Sequence, residues 1–202
     1  MNIPIIISGP SGVGKDTLVK SITSTYPEIK EAVGYTTRKP RENEVNGVDL
    51  NFVSKDYFRY LINHDMLIEY ALFNNEFYGM PKTELTKLRD QKMIYNIGVS
   101  GARTIKELIP ESIAILLIPP SYNELVYRLG NRGKERLKNM ASDLKEASSF
   151  FDYCLVSKTD KVDELVENFK DILSGHGEEY RIENYFNRIK DITHIDENER
   201  VL

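Results

Sequence analysis

Seven consecutive residues, Gly9-Pro10-Ser11-Gly12-Val13-Gly14-Lys15, combine glycines with a closing lysine in the spacing G-x-x-x-x-G-K. Glycine adopts backbone angles that other residues avoid, so successive N–H groups can turn inward onto phosphate oxygens. A lysine at the end of such a turn adds a mobile full charge for the β- and γ-phosphates of a nucleoside triphosphate. The residue ordinarily found next carries a hydroxyl for Mg²⁺. Here Asp16 stands in that place, and the hydroxyl comes one residue later, at Thr17. Either Asp16, directly or through water, or Thr17 would then serve the metal, unless Asp16 only caps the following helix. The candidate ATP-binding residues are Ser11, Gly12, Val13, Gly14, Lys15, Asp16 and Thr17.

A second cationic cluster follows at Thr36-Thr37-Arg38-Lys39-Pro40-Arg41. Moving a phosphoryl group onto another phosphate requires a second anion held near the first, and the planar fork of arginine pairs bidentately with phosphate. A solvated basic loop is the ordinary alternative. Glu69 lies in the largely apolar stretch Leu67-Ile68-Glu69-Tyr70, where a carboxylate needs a donor. A nucleobase edge or a structural salt bridge would meet that need. Tyr78, in Phe77-Tyr78-Gly79, would either donate its hydroxyl to phosphate or pack in the core. Arg128, Arg132 and Arg136 fall four apart, with Gly130 and Gly133 between them. Helical spacing puts all three on one face. The glycines favour a mobile segment whose arginines close over transferring phosphates, with a solvated face as the alternative.

These residues need a scaffold, and the apolar pattern supplies one. Residues 3–8, 93–97, 113–118 and 153–156 are short apolar runs without alternation, which suits buried parallel strands. Helical patterns lie at 16–24, 103–109, 123–129, 137–147 and 162–173. Strand–helix alternation predicts an α/β fold, a three-layer parallel sheet with flanking helices. Residues 34–80 break the rhythm with turn formers and with alternating stretches at 48–54 and 67–73. They predict a small β-rich lobe with one helix near 55–63. The expected division is a core of 1–33 and 81–173, a lobe of 34–80, a short lid at about 130–140 and a tail of 174–202. In that tail Gly175-His176-Gly177 reads as a hinge. Ile182, Tyr185, Phe186, Ile189 and Ile192 form a stripe at helical spacing. Such a stripe packs on its own domain or on the mate in a homodimer.

Bulk properties exclude several classes. At 202 residues the chain suffices for one sizeable core. A net charge of −4 leaves no overall basic footprint for nucleic acid. The single cysteine, Cys154, forbids an intrachain disulfide and fits a reducing cytoplasm. The amino-terminal apolar run is too short for a membrane span and lacks a signal peptide's charged flank. His64, His176 and His194 are scattered and form no metal-ligand cluster.

Four segments together resemble the guanylate kinase family: GPSGVGKDTL, TTRKPRENEVNGVDLNFVS, LIEYALFNNEFYG and IPPSYNELVYRLGNRG. The second is the most specific, because phosphate-loop kinases at large do not share it. The resemblance implies a nucleoside monophosphate kinase with ATP as donor, Mg²⁺ as cofactor and GMP or dGMP as acceptor. By resemblance Lys15 grips the ATP phosphates, and Arg38, Arg41 and Tyr78 grip the monophosphate. Glu69 then pairs with the guanine edge, while Arg132 and Arg136 neutralise the transferring group. Departures are selective. Gly34 replaces a serine that helps read guanine, Leu50 a tyrosine, and Met80 a serine or threonine. Gly98 falls in a strand end that otherwise carries an acidic side chain. The phosphate grips survive better than the base-reading set, which weakens discrimination between bases. A kinase of another phosphorylated acceptor, such as another nucleotide or ribose 1,5-bisphosphate, is the first alternative. A catalytically inactive binding module of the same family is the second.

Overall fold

Strand β1 (Ile5–Ser8) is three isoleucines and a serine, all buried. A strand apolar at every position must be covered on both faces, and its neighbours are of the same kind. The structure, a computed structural model, describes residues 2–73, 75–129, 147, 149–185 and 187. Within them a five-stranded sheet runs in the order β2 (Ile29–Glu31), β7 (Lys92–Asn96), β1, β8 (Ile113–Ile118) and β9 (Tyr153–Val156). Every pairing is parallel, and Ile7 of β1 lies beside both Asn96 and Ile115. Helices α1 (Lys15–Thr25), α4 (Val99–Leu108), α5 (Tyr122–Leu129) and α6 (Val162–Leu173) flank the sheet. Each buries one stripe: Leu18, Val19 and Ile22 from α1, Leu165, Val166, Phe169 and Ile172 from α6. Three- and four-residue spacing puts these side chains on one face, and they join the strands in one core. This is the α/β fold expected from the alternation of elements.

A second, mixed sheet has the order β4 (Asn51–Phe52), β3 (Tyr35–Thr36), β6 (Glu76–Pro81), β5 (Leu67–Phe73). It carries helix α2 (Lys55–Asn63), whose Ser54 cap accepts a hydrogen bond from the Tyr57 N–H at 3.1 Å. Phe58 and Leu61 of α2 pack with Leu67 in a small separate core. Helix α3 (Lys82–Thr86) leads back to β7.

Two sequence expectations change. The alternating stretch at 48–54 forms strand only at Asn51–Phe52. Upstream the chain curls: the Gly47 N–H donates to the Leu50 carbonyl, and the Asp49 carboxylate accepts from the Val45 N–H. Val45 and Val48 are left in solvent. The tail also differs. Gly175 has φ of +79°, and the His176 N–H returns to the Asp171 carbonyl. A Cβ at Gly177 would lie 2.7 Å from Ile172 Cα. The pair of glycines therefore closes α6 tightly. Beyond it the described residues begin with two 3-10 turns, Glu178–Tyr180 and Ile182–Tyr185, and most of the expected helix lies outside the described residues. The Ile182 N–H donates to Asp152 O, and Arg181 bridges Tyr153, so these groups are spent on β9. Tyr180 and Ile182 are buried in the chain's own core. The patterns at 137–147 and beyond 187 lie largely outside the described residues. Among the described residues no helix is long and apolar enough to cross a membrane.

Candidate active site

The turn from β1 into α1 is built on three glycines with positive φ: Gly9 at 146°, Gly12 at 81° and Gly14 at 104°. A Cβ at Gly9 would sit 2.2 Å from the Leu117 carbonyl oxygen, and one at Gly12 2.6 Å from Leu129 Cδ2. Both glycines are thus required by conformation and by space. Gly14 caps α1 with no side-chain hydrogen bond, which leaves the first N–H groups of the helix for an anion. Lys15 Nζ donates to the carbonyls of Gly9 at 2.8 Å and Pro10 at 3.0 Å, so its charge is held over the turn. Val13 is buried, and Ser11 is half-buried at the start of the turn.

Arg128 does not share in a mobile face. Its guanidinium turns into the domain and donates to Val13 O, to Ser157 Oγ and O, and to Thr159 Oγ1, while Nε meets Glu124 Oε1 at 3.0 Å. It fastens the phosphate loop to the segment after β9. Arg132 and Arg136 lie outside the described residues.

Beside Lys15, the Asn96 side chain at the end of β7 donates from Nδ2 to Asp16 Oδ1 at 2.9 Å and to Glu31 Oε1 at 3.3 Å. Burial pushes the Glu31 carboxyl up to about 7, although the Asn96 hydrogen bond opposes the shift. Asp16 and Thr17 both face the open groove along α1. Among the described residues, no group of three or more His, Cys, Asp or Glu side chains is placed to hold a metal ion. The donor set still fits Mg²⁺ that arrives with a nucleotide. Asp16 offers a hard carboxylate oxygen on the residue after Lys15, and phosphates and water complete the shell.

Five residues after Lys15, Lys20 Nζ meets Asp49 Oδ1 at 2.7 Å. That ion pair ties α1 to the 38–50 segment of the second sheet. Within this segment Arg38 forms a two-pronged pair with Glu44, at 2.6 and 2.7 Å. Glu44 also accepts from the Arg41 N–H at 2.8 Å. The Glu44 pair holds the Arg38 guanidinium firmly charged, and Tyr78 contributes a further hydrogen bond. Arg38 stacks 5.4 Å over the Phe52 ring, and its Nε is buried without a hydrogen-bond partner. Arg41 is exposed, 3.8 Å from Glu44. Arg38, Arg41 and Tyr78 are thus brought together around a fork already shaped for an oxyanion.

Glu69 projects from β5 toward the start of α4, and a Cβ at Gly101 would lie 2.8 Å from its Cδ. Burial alone pushes its carboxyl up to about 7. Among the described residues none donates a hydrogen bond to it. Three of the sequence departures meet nearby: a Cβ at Gly34 would find the Gly79 carbonyl oxygen at 3.0 Å and, among side chains, Leu50 Cδ2 at 3.6 Å and Met80 Cε at 3.8 Å. Met80 is buried in the core, so that wall is apolar. A Cβ at Gly98 would meet nothing within 4 Å, which leaves open space at the head of α4. Sequence reasoning missed Asn96, Glu44, Lys20 and Asp49. Only Glu44, three residues after Arg41, carries a local signal.

A parallel sheet with a phosphate loop between β1 and α1, and an inserted mixed sheet beside it, is the architecture of the phosphate-loop kinases. The guanylate kinase family model matches residues 1–176. The chain belongs to the guanylate kinase family. It is 37% identical over 196 residues to guanylate kinase of Oceanobacillus iheyensis, covering 93% of this chain and 94% of the relative. Guanylate kinase of Lactococcus lactis is 36% identical over 200 residues, covering 93% and 96%. The crystal structure of guanylate kinase from Anaplasma phagocytophilum superposes with a TM-score of 0.68 at 26% identity, covering 88% and 87%.

Proposed function

We propose that the chain transfers the γ-phosphoryl group of ATP to GMP or dGMP. A GMP phosphate oxygen attacks the γ-phosphorus in line, and the β–γ bridging oxygen leaves with ADP. The observation that carries this reading is the Lys20–Asp49 pair at 2.7 Å. It ties the segment that carries Arg38 and Glu44 to the helix that Lys15 opens. Lys15 and the loop N–H groups hold the donor. Arg38, Arg41 and Tyr78 hold the acceptor phosphate, with Arg38 moving from Glu44 onto the ligand or sharing its donors between the two. Glu69 accepts from the N–H groups of the guanine edge. Arg132 and Arg136 are assigned to the charge of the transferring group. Asp16 or Thr17 would hold Mg²⁺, which would supply charge to offset that of the donor phosphates. The enzyme contributes position and electrostatics without a covalent intermediate. Cys154, the chain's single cysteine, is buried, which fits a reducing cytoplasm. Packing of Tyr180 and Ile182 on their own chain favours an intrachain role for the tail over a homodimer contact.

Arg38→Ala is expected to raise the GMP KM about 10²-fold, the worth of a charge-assisted pair, with a smaller loss in kcat. Arg38→Lys should recover only part, because a point charge cannot fork. An unchanged KM in steady-state assays would remove Arg38 from the acceptor site. The apolar wall of Gly34, Leu50 and Met80 supports a second reading, in which the acceptor is another phosphorylated metabolite.

A further inference from the structure

In phosphate-loop enzymes the donor's divalent ion is held by a hydroxyl after the loop lysine and by an acidic residue at the end of a neighbouring strand. Here the first position differs, and the strand-end acid that the family resemblance places at 98 is a glycine. The residue after Lys15 is Asp16, and β7, which pairs directly with β1, ends in Asn96. The two are in contact, with Asn96 Nδ2 donating to Asp16 Oδ1 at 2.9 Å. The other contact of the same nitrogen is Glu31 Oε1 at 3.3 Å. Both neighbours are carboxylates, so only the NH₂ end of the amide can face them, and its two hydrogens serve both. The orientation of Asn96 is therefore fixed by chemistry.

We propose that the metal-binding carboxylate has changed places in this chain, with Asp16 presenting it from the phosphate loop and Asn96 acting as its positioning residue. The amide occupies Oδ1 and leaves Oδ2, which has no hydrogen-bond partner among the described residues, for the cation or its water. An acid at position 96 would instead set two negative charges against each other, and one would have to take up a proton. The arrangement supplies a donor, shared between Asp16 and Glu31, to aim the Asp16 carboxylate, the usual task of a group behind a metal ligand. This inference rests on the reading of the site as an ATP–metal phosphotransferase.

The test is calorimetric titration of the full chain with Mn²⁺–ATP and, separately, with ATP in EDTA, without acceptor. Asn96→Ala should bind metal-free ATP as the parent does, yet bind Mn²⁺–ATP about 10-fold more weakly. Asp16→Ser should lose most of the advantage conferred by metal. The reciprocal exchange Asp16→Ser with Asn96→Asp should regain much of it. Metal-free ATP binding reports that each variant is folded, and the near-isosteric exchange covers the case in which Asn96→Ala is not. Equal Mn²⁺–ATP affinity in Asn96→Ala, or a double exchange no better than Asp16→Ser, overturns the inference. A parent chain that binds neither form of ATP would instead sink the functional reading itself.

Discussion

Lys15→Ala should lower kcat by at least about 10³-fold while leaving the melting temperature nearly unchanged, since a charge aimed at transferring phosphate is worth this much. In the ligand-free chain Lys15 Nζ makes hydrogen bonds to two carbonyls of its own turn. The Lys15 side chain is itself only half-buried, while the core beneath the turn is made by Val13 and Leu18. Loss of the ammonium therefore removes charge from the donor site without opening the core. The GMP KM should change little, because the acceptor cradle lies on the second sheet. Undiminished kcat in a coupled ADP assay, with circular dichroism to verify folding, would take the loop out of the mechanism.

Glu69→Gln should act in opposite directions on function and stability. Burial raises the Glu69 carboxyl from 4.5 to about 7. The fold thus favours the protonated acid: its contribution to stability is fully present below the unfolded value and is lost as pH rises through about 7. At pH 8 the parent carries a largely buried charge with no donor among the described residues, a cost of at most about 3 kcal/mol. The amide removes that cost, so Tm should rise by about 5 °C at pH 8 and hardly at all at pH 5. Guanine, however, presents N–H donors and needs the carboxylate. Loss of these charge-assisted bonds should raise the GMP KM about 10³-fold. In the parent, the GMP KM should fall as pH rises from 6 to 8, as Glu69 ionises. Burial also raises Glu31, so only the difference between parent and variant isolates Glu69. A variant that melts lower at pH 8 and keeps its GMP KM would contradict both halves.

The parts legible in the sequence are those in which the chemistry is contiguous. The phosphate loop is one glycine-rich run between a strand and a helix, and its backbone angles follow from residue types alone. Runs such as Ile113–Ile118 announce buried strands because both faces are covered. Less legible was anything that depends on which way a face points. Arg128 has helical spacing with Arg132, but Ser157 and Thr159 claim its guanidinium from another part of the chain. The tail has a helical stripe, yet Asp152, just before β9, offers the Ile182 N–H a competing partner. Asn96 and Asp16 stand 80 residues apart and meet only because β7 pairs with β1. Gly34, Leu50 and Met80 read as three separate losses of polar groups, whereas folding gathers them in one place, with Leu50 and Met80 both within 4 Å of where a Cβ at Gly34 would stand.

That cluster makes acceptor choice the central claim at risk. The measurement that tests it is ADP release with ATP and Mg²⁺ against GMP, dGMP, AMP, CMP, UMP, dTMP and ribose 1,5-bisphosphate in parallel. Turnover confined to GMP and dGMP is the predicted result and means that Glu69 and backbone groups read guanine beside an apolar wall. Faster turnover of any other acceptor, or of none, would contradict it.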